Sequence, residues 1–429
     1  MGCDGSGLCV GRGMRQAVNM EWVMHHQMKA SCVLGSVLLA GFAGLSHAQP
    51  QYTIVDMGIL DLEDIGVQGS AVSENGNATG RTLGASNQAF SWSQSAGIMP
   101  LPNEPTRPFG RGNGINDAGT VVGTGSTTFF GSSPLPLIWN SGVVSILPLP
   151  AGQTLARAND INSAGVAVGS AGGGSNEVGV IYDAGNASII TQTTPNGSFI
   201  RTAFAINDDG LVVGFGIDPN NAARNVGFVY DSVAGVASEV GALPGHNGAL
   251  AFGVSNAGHV VGASMLNQGA GTPFIWTQAD GMTEIPLPPA TSSGSARGVN
   301  SSGWAVGNAG GLFAVPFLYD GTTTYALQDL IPAGSGWDLS MNTSSSAEGI
   351  SESGIIVGSA ELFGQVHAYA MIPVCLPDTN HDGNLTPADF TAWIAAFNAG
   401  APECDQNSDG NCDPSDFTAW IANFNAGCN

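Results

Sequence analysis

The sequence predicts a mainly β fold, a seven-bladed β-propeller of four-stranded blades, followed by a small α-helical domain. A ten-residue phrase (small, Val or Ile, Asn or Ser, two variable residues, Gly, two variable residues, Val, Gly) occurs seven times, starting at Ala71, Gly114, Asp160, Ala205, Gly253, Gly298 and Gly349. The steps between its first glycines (76, 119, 165, 210, 258, 303, 354) are 43, 46, 45, 48, 45 and 51 residues, the length of one four-stranded blade. Downstream of each copy a pair of large residues two apart marks a strand: Phe90 and Trp92, Leu137 and Trp139, Val180 and Tyr182, Phe228 and Tyr230, Phe274 and Trp276, Phe317 and Tyr319, Tyr369 and Met371.

In chain order, residues 1–27 are Gly-rich and carry Met14, Met20 and Met24, which reads as an extension from a start placed too early. Residues 28–48 read as a secretory signal: Met28-Lys29, then an apolar run of roughly 16 residues, then Ser46-His47-Ala48 as a small-x-small cleavage site. That run is short of the ~20 residues a membrane-spanning helix needs. The propeller is expected over 49–373. In four phrases an Asn (116, 162, 207, 300) can cap a hairpin turn, and the first Gly supplies the left-handed residue the turn needs. A fourth, Pro-flanked strand follows in most copies, as at 98–102, 143–150, 236–244 and 283–288. The seventh copy lacks one, because Met371 to Val374 leads straight to Cys375. The stretch 52–60 resembles a fourth strand without a blade, so pairing it with the seventh closes the ring and covers both edges. An open solenoid or a pair of β-sandwiches are the rival architectures.

Charge excludes one class of partner. Beyond Ala48 the chain keeps 31 acidic residues (33 less Asp4 and Glu21) against 7 basic ones (10 less Arg12, Arg15 and Lys29), a balance of −24 with no lysine. Nucleic acid and anionic lipid are electrostatically opposed. The four remaining cysteines, Cys375, Cys404, Cys412 and Cys428, fall in the last 55 residues, which suits two disulfides in an exported protein. Three connectivities are open; zinc is the alternative, but no CxxC pair exists.

Residues 375–429 contain a twelve-residue loop twice, Asp378 to Asp389 and Asp405 to Asp416, each followed by Phe-Thr-Ala-Trp-Ile-Ala. Oxygen-bearing side chains stand at positions 1, 3, 5, 9 and 12 with Gly at 6, the spacing that wraps hard ligands round Ca²⁺. Two ions are expected, on Asp378, Asn380, Asp382, Asn384, Thr386 and Asp389, and on Asp405, Asn407, Asp409, Asn411, Asp413 and Asp416. Asn384 and Asn411 offer backbone carbonyls, and Thr386 acts through water. After the loops, Phe390, Trp393, Ile394, Phe397 and Phe417, Trp420, Ile421, Phe424 form helical stripes that pack on each other, with part left for a partner. The segment carries eight acidic and no basic residues, so Ca²⁺ should act as a folding ligand.

These residues carry two resemblances. Gln88-Ala89-Phe90 and His367-Ala368-Tyr369 make residues 52–373 similar to the extracellular HAF-type repeat family, which implies secretion without an assigned activity. The double loop resembles the dockerin family of F-hand calcium domains (dockerin type I, of EF-hand kind). More closely it resembles the "GC-type" dockerin-like anchors, which end in Gly-Cys as Gly427-Cys428 does. That implies calcium-dependent docking to a cohesin-like or other surface protein. Dockerins read their partner through polar residues at positions 10 and 11, where this chain has Pro387-Ala388 and Pro414-Ser415.

No catalytic constellation stands out. The histidines beyond residue 48 are His246, His259, His367 and His381, of which only His246, in the loop after Pro244, merits a test. The propeller has no cysteine, Gly-x-Ser-x-Gly elbow or phosphate loop. Carboxylates worth considering are Asp61, Glu63, Asp64, Asp208 and Asp209, each with a turn or solvated-loop explanation. The expectation is a secreted, extracellular or cell-surface, non-enzymatic binding or scaffold propeller with no membrane span in its mature chain. It would bind polysaccharide or protein on one face and be anchored by its calcium tail. The runner-up is a polysaccharide hydrolase or lyase displayed by the same tail.

Overall fold

The computed structural model describes residues 49–84, 86–311, 313–380, 384–407 and 410–428. The expected signal at 28–48, the extension before it, and His381, Asp382 and Asp409 lie outside the described residues.

Each phrase forms the hairpin that joins the first two strands of a blade. In the second repeat these are Phe109–Ile115 and Val121–Ser126, followed by Leu135–Asn140 and Val143–Ile146 in one antiparallel sheet. Sheets of the same kind span 156–189, 199–239, 248–284 and 294–326. The fold is thus mainly β, a propeller of four-stranded blades with a small helical part at the C-terminus. The expectation of seven separate blades needs correction: five four-stranded sheets stand alone, and the strands of the first and last repeats belong to one nine-stranded sheet. The join is a single parallel pairing of Gly66 with Val366. Glycine permits it, since a Cβ at 66 would come within 3.1 Å of the Val366 Cβ and 3.2 Å of its carbonyl oxygen. On the same edge of the last repeat, Tyr52–Asp56 pairs antiparallel with Gln365–Pro373, Tyr52 opposite Pro373 and Asp56 opposite Tyr369.

The two glycines of the phrase do different work. The first has positive φ in every copy, from 75° at Gly119 to 87° at Gly76, and its N–H donates to the carbonyl of the Asn or Ser three residues back. The second is required by crowding. A Cβ at Gly80, Gly123, Gly169, Gly214, Gly262, Gly307 or Gly358 would lie 1.9–2.1 Å from a backbone carbonyl oxygen of the first strand. An aromatic side chain crowds the same Cβ position: Gly80, Gly214, Gly262, Gly307 and Gly358 pair across the ladder with Phe90, Phe228, Phe274, Phe317 and Tyr369, whose nearest atoms would lie 2.8–3.0 Å from it. That carbonyl leans inward because the first strand bulges in all seven repeats, the register slipping around Ser70, Asn113, Asn159, Phe204, Phe252, Arg297 and Glu348.

The turns are linked to one another. The Asn side-chain oxygen accepts from the backbone N–H four residues on (Thr120, Val166, Leu211, Trp304), and its amide donates to the next repeat. Asn116 reaches the Asn162 carbonyl at 3.0 Å, Asn162 that of Asn207 at 3.1 Å, and Asn207 that of Ser255 at 2.9 Å. Where Ser replaces Asn (73, 255, 351) the hydroxyl still accepts its own N–H but has no amide to pass on. There the neighbouring residue takes over, as when the Ser301 hydroxyl accepts from Ala257 N–H and Glu352 accepts from Ser301 N–H.

The core lies between sheets. Second strands such as Ala167–Ala171 and Val260–Met265 are buried along their whole length, with consecutive residues facing different neighbours. Val260 packs with Val213, Ala249 and Phe274; Val261 packs with Ala296, Ala305 and Phe317.

In the tail, α1 (Pro387–Ala399) and α2 (Pro414–Ala426) begin with capping boxes, Thr386 with Asp389 and Asp413 with Asp416. The stripes meet through aromatic contacts, Phe390 to Trp420 at 5.0 Å and Trp393 to Phe417 at 5.7 Å, with Trp393 and Trp420 buried. Ile394 and Ile421 stay exposed. The cysteines pair as Cys375 with Cys428 and Cys404 with Cys412, so zinc is ruled out for them. The first bridge closes a 53-residue separation, which stabilises by about 4 kcal/mol on the chain-entropy account.

Asn207→Ser should keep the turn and lose one link, costing about 1 kcal/mol, whereas Asn207→Ala also strands the Leu211 N–H and should cost about 2–4 kcal/mol by denaturant titration. Gly258→Ala, in the turn, should cost about 1–2 kcal/mol. Gly262→Ala, which collides with the Leu250 carbonyl, should cost about 3 kcal/mol or more.

Candidate functional site

The first strands of the repeats converge on a small cavity of about 120 Å³ bounded by residues from all seven repeats. Around it stand Glu74, Asp117, Asp160, Asp208 and Glu352 among the Asn and Ser side chains of the turns. Most of these carboxylates are spoken for by the backbone: Asp208 accepts from Ser163 N–H at 2.8 Å, Asp160 from Ile206 N–H at 3.0 Å, and Asp117 from Asn75 N–H at 2.9 Å. Asn256 donates to both Asp208 and Glu74, so repeats one, four and five are tied across the hub. Burial pushes the Glu74 carboxyl up to about 7, with the negative charges of Asp208, Glu352 and Asp117 adding to it against the Asn256 hydrogen bond. Burial likewise raises Asp160 to about 7, opposed by the N–H groups of Ile206 and Ile161. The arrangement suits a joint, because Asp117, Asp160, Asp208 and Glu352 each accept from a backbone N–H of a neighbouring repeat and Glu74 is bonded across the hub.

A larger cavity of about 490 Å³ opens at repeats one to three. Arg111 and Asn113 reach it from Phe109–Ile115, Arg157 and Asn159 from Ala156–Ile161, and Arg81 from Ala78–Gly84. Thr82, Asn87, Thr124 and Ser126 add polar groups. Phe129 and Phe130 come from the loop after Val121–Ser126, Phe130 being 93% exposed. Arg111 and Asn113 share a strand with Ile115 and Asn116, which border the hub cavity. Asn113 precedes Ile115 by two residues, about 7 Å at 3.3 Å of rise per residue, and Asn159 adjoins Asp160, so the two cavities neighbour each other along these strands.

The bulge explains how Asn113 and Asn159 come to line the larger cavity: an extra residue in the first strand re-aims its side chain. Each also links repeats, Asn113 donating to the Ala158 carbonyl and Asn159 to that of Ala203, both at 2.8 Å. At the other bulges Phe204 packs on Phe252 at 5.3 Å, and the Arg297 guanidinium lies 4.3 Å from the Phe252 ring centre.

The arginines carry an imbalance. Among the described residues the ion pairs are Arg224 with Asp218 and Glu239, and His367 with Asp56. None of Arg81, Arg111 and Arg157 is paired with a carboxylate, in a chain where acids outnumber arginines more than fourfold beyond Ala48. Arg81 donates through Nε to Gln68 at 3.0 Å and lies 5.7 Å from the Phe129 ring centre. Desolvation, with Arg111's like charge, lowers Arg81 to about 10. Arg111 is lowered too, chiefly by desolvation and against the pull of Glu348. Water reaches Arg111 because the cavity is open, yet protein surrounds it; the Arg81 guanidinium remains charged at neutral pH.

Of the residues singled out in the sequence, Asp208 borders the hub cavity and the others lie elsewhere. His246 meets the Ser264 hydroxyl at 3.1 Å in its loop, His259 meets Ser255 at 3.4 Å, and His367 meets Asp56 at 2.9 Å. Asp64 is buried, accepting from Ser86 N–H and Asp61 N–H, and Glu63 N–H donates to Asp61. Asp209 is exposed in its turn. Sequence reasoning missed Arg81, Arg111 and Arg157; the signal was there, since Arg111 and Arg157 sit at one repeat position where the other copies have Gln68, Thr202, Leu250, Ser295 and Ser346.

In the tail, Asp389 and Asp416 are fully buried. Asp389 accepts from Thr386 N–H at 2.8 Å and Asn380 N–H at 3.3 Å; Asp416 accepts from Gln406, Asn407 and Asp413 N–H. Although burial would raise the Asp389 carboxyl, those N–H groups and the adjoining Asp378 carboxyl group hold it below the ordinary range. Gly410 N–H donates to Asp405 at 2.8 Å. The first and twelfth residues of the first loop thus bring two carboxyl groups together, an arrangement that a hard cation suits.

No protein-family model and no curated protein matches the chain. Similar solved structures include a streptogramin B lyase (15% identical, 76% of this chain and 100% of that one, TM-score 0.48). Another is an oligogalacturonate lyase in complex with manganese (10% identical, 77% and 99%, TM-score 0.46). A third is a catalytically inactive virginiamycin B lyase from Staphylococcus aureus with quinupristin (12% identical, 75% and 100%, TM-score 0.46). No residue role or activity is carried over from them. No helix among the described residues is long and apolar enough to cross a membrane.

A carboxyl raised in the folded state binds a proton there before it does in the unfolded chain, so its contribution is present at low pH and is lost as pH rises through about 7. Melting temperatures from pH 5 to 8 should therefore fall less steeply in Glu74→Gln than in the unaltered chain, and the variant should be the more stable at pH 8.

Proposed function

We propose that this chain is an exported, non-enzymatic binding propeller that takes an anionic ligand on the arginine face and is held to an extracellular or cell-surface partner by a calcium-dependent tail. The observation that carries the reading is the set of three arginines without carboxylate partners, gathered with Phe129 and Phe130 in one cavity of a strongly acidic chain that has no lysine beyond Ala48. Clustered positive charge in such a chain costs self-energy only weakly and offers a local attraction that the rest of the surface lacks. Counting the nine-stranded sheet as the first and last blades gives the seven of the HAF-like repeats, with Tyr52–Asp56 as the closing strand.

For the tail, the convergence of Asp378 and Asp389 and the inward turn of Asp405 and Asp416 favour two Ca²⁺ sites on the residues predicted. Bound calcium would neutralise carboxylates that otherwise repel, coupling the ion to the packing of α1 on α2. The two disulfides are compatible with an oxidising compartment. Ile394, Phe417 and Ile421 supply exposed apolar area on the helices for a cohesin-like or other surface partner.

Titrating Ca²⁺ calorimetrically into residues 49–429 and into residues 49–374 tests the anchor. Two sites of about micromolar affinity or tighter should appear only with the tail, with a gain of helix by circular dichroism; identical heats from both chains would sink it.

A further inference from the structure

We infer that the arginine cavity binds a small hydroxylated anion, a sugar acid or a sugar phosphate, seated among Arg81, Arg111 and Arg157 with Phe129 and Phe130 at its rim. This rests on the binding reading above and names its ligand class.

The first ground is broken repetition. What the scaffold needs recurs in every blade: the turn glycine, the crowded glycine, the Asn or Ser of the turn, the bulge. Two residues before the bulge nothing recurs, and there Arg111 and Arg157 stand side by side in repeats two and three, with Arg81 supplied by the second strand of repeat one. No packing requirement accounts for them, since Gln, Thr, Leu and Ser serve at the same place.

The second ground is electrostatic. Arg111's like charge lowers the proton affinity of Arg81, and neither is ion-paired with a carboxylate although acids are abundant, Glu348 being the acid whose attraction Arg111 feels. An anion between them relieves the repulsion and accepts the planar, forked hydrogen bonds a guanidinium offers to carboxylate or phosphate.

The third ground is the remaining lining. Asn87 and Thr124, both half-buried, bring an amide and a hydroxyl, groups that match a polyol, while Thr82 and Ser126 are buried with their hydroxyls bonded within the protein. Two adjacent phenylalanines at the mouth, one almost fully exposed, provide apolar faces for the C–H side of a sugar ring. The volume of about 490 Å³ is that of a small-ligand pocket. A long, dense polyanion, which would extend past the cavity, is disfavoured by the balance of −24 over the chain beyond Ala48 (7 basic against 31 acidic residues).

The test is calorimetric or ligand-observed NMR titration of residues 49–429 with glucuronate, glucose 6-phosphate, inorganic phosphate, glucose and a hexa-glutamate peptide. Glucuronate or glucose 6-phosphate should bind with a Kd below about 1 mM, and glucose at least about 10-fold more weakly. The comparison of the two sugar anions tells which anionic group the cavity prefers, and raised salt should weaken either. Arg111→Gln and Arg81→Gln should each reduce affinity about 10-fold or more. Should either fail to fold by circular dichroism, Phe130→Ala, altering an exposed ring, should still weaken binding several-fold. Binding of glucose as tight as that of the anions, of hexa-glutamate or phosphate alone, or unchanged affinity in the folded variants overturns the inference. Tail calcium sites measured on the same samples separate the two readings: lost sugar binding with intact calcium sites sinks only this one, and absent calcium sites sink only the anchor.

Discussion

A backbone carbonyl resting on a glycine is the contact on which the fold depends. In every repeat the bulged first strand turns a carbonyl oxygen to within about 2 Å of where the second strand's Cβ would be, so that residue must be Gly. The aromatic ring of the third strand then covers the same glycine from the next position across the ladder in five of the seven copies. Bulge, glycine and ring are one unit: any larger residue would push the first strand out of register and misdirect the side chain that the bulge aims inward.

From that unit follows the division between scaffold and site. The turns, held by Asn amides and Ser hydroxyls, transmit position from one blade to the next with buried hydrogen bonds. The carboxylates at the hub extend the same device, with Glu74 and Asp160 held protonated more readily than free acids because they sit where negative charge is poorly solvated. The inward-facing side chains beside the bulges are released from this duty. They differ from blade to blade, and their differences gather the arginines on one side.

The tail solves a different problem. About 55 residues cannot bury a large core, and this segment compensates with an aromatic cluster, two disulfides and helices whose caps are drawn from the loops themselves. Asp389 and Asp416 cap a helix and close a loop at once, so a cation there would act on helix initiation directly.

Local rules made much of this legible. The hairpin turns, the blade strands and the helical stripes follow from spacing alone, because turn glycines and alternating aromatics act over a few residues. The separate blade count did not follow: whether the first and last repeats share a sheet depends on Gly66 meeting Val366, three hundred residues apart, which periodicity does not encode. The purpose of the second glycine was likewise hidden, since nothing in the phrase reports a bulge in the facing strand. His246 and the acids at 61–64 drew notice as chemical types, but their neighbours satisfy them locally. Thus the sequence by itself determined the repeat, its turns and the oxygen-rich loops, all set by contacts within a hairpin or a helical turn. Only the tertiary structure decided the cysteine pairing, the fused sheet and the gathering of Arg81, Arg111 and Arg157, because ring closure sets distances between residues that no local rule relates.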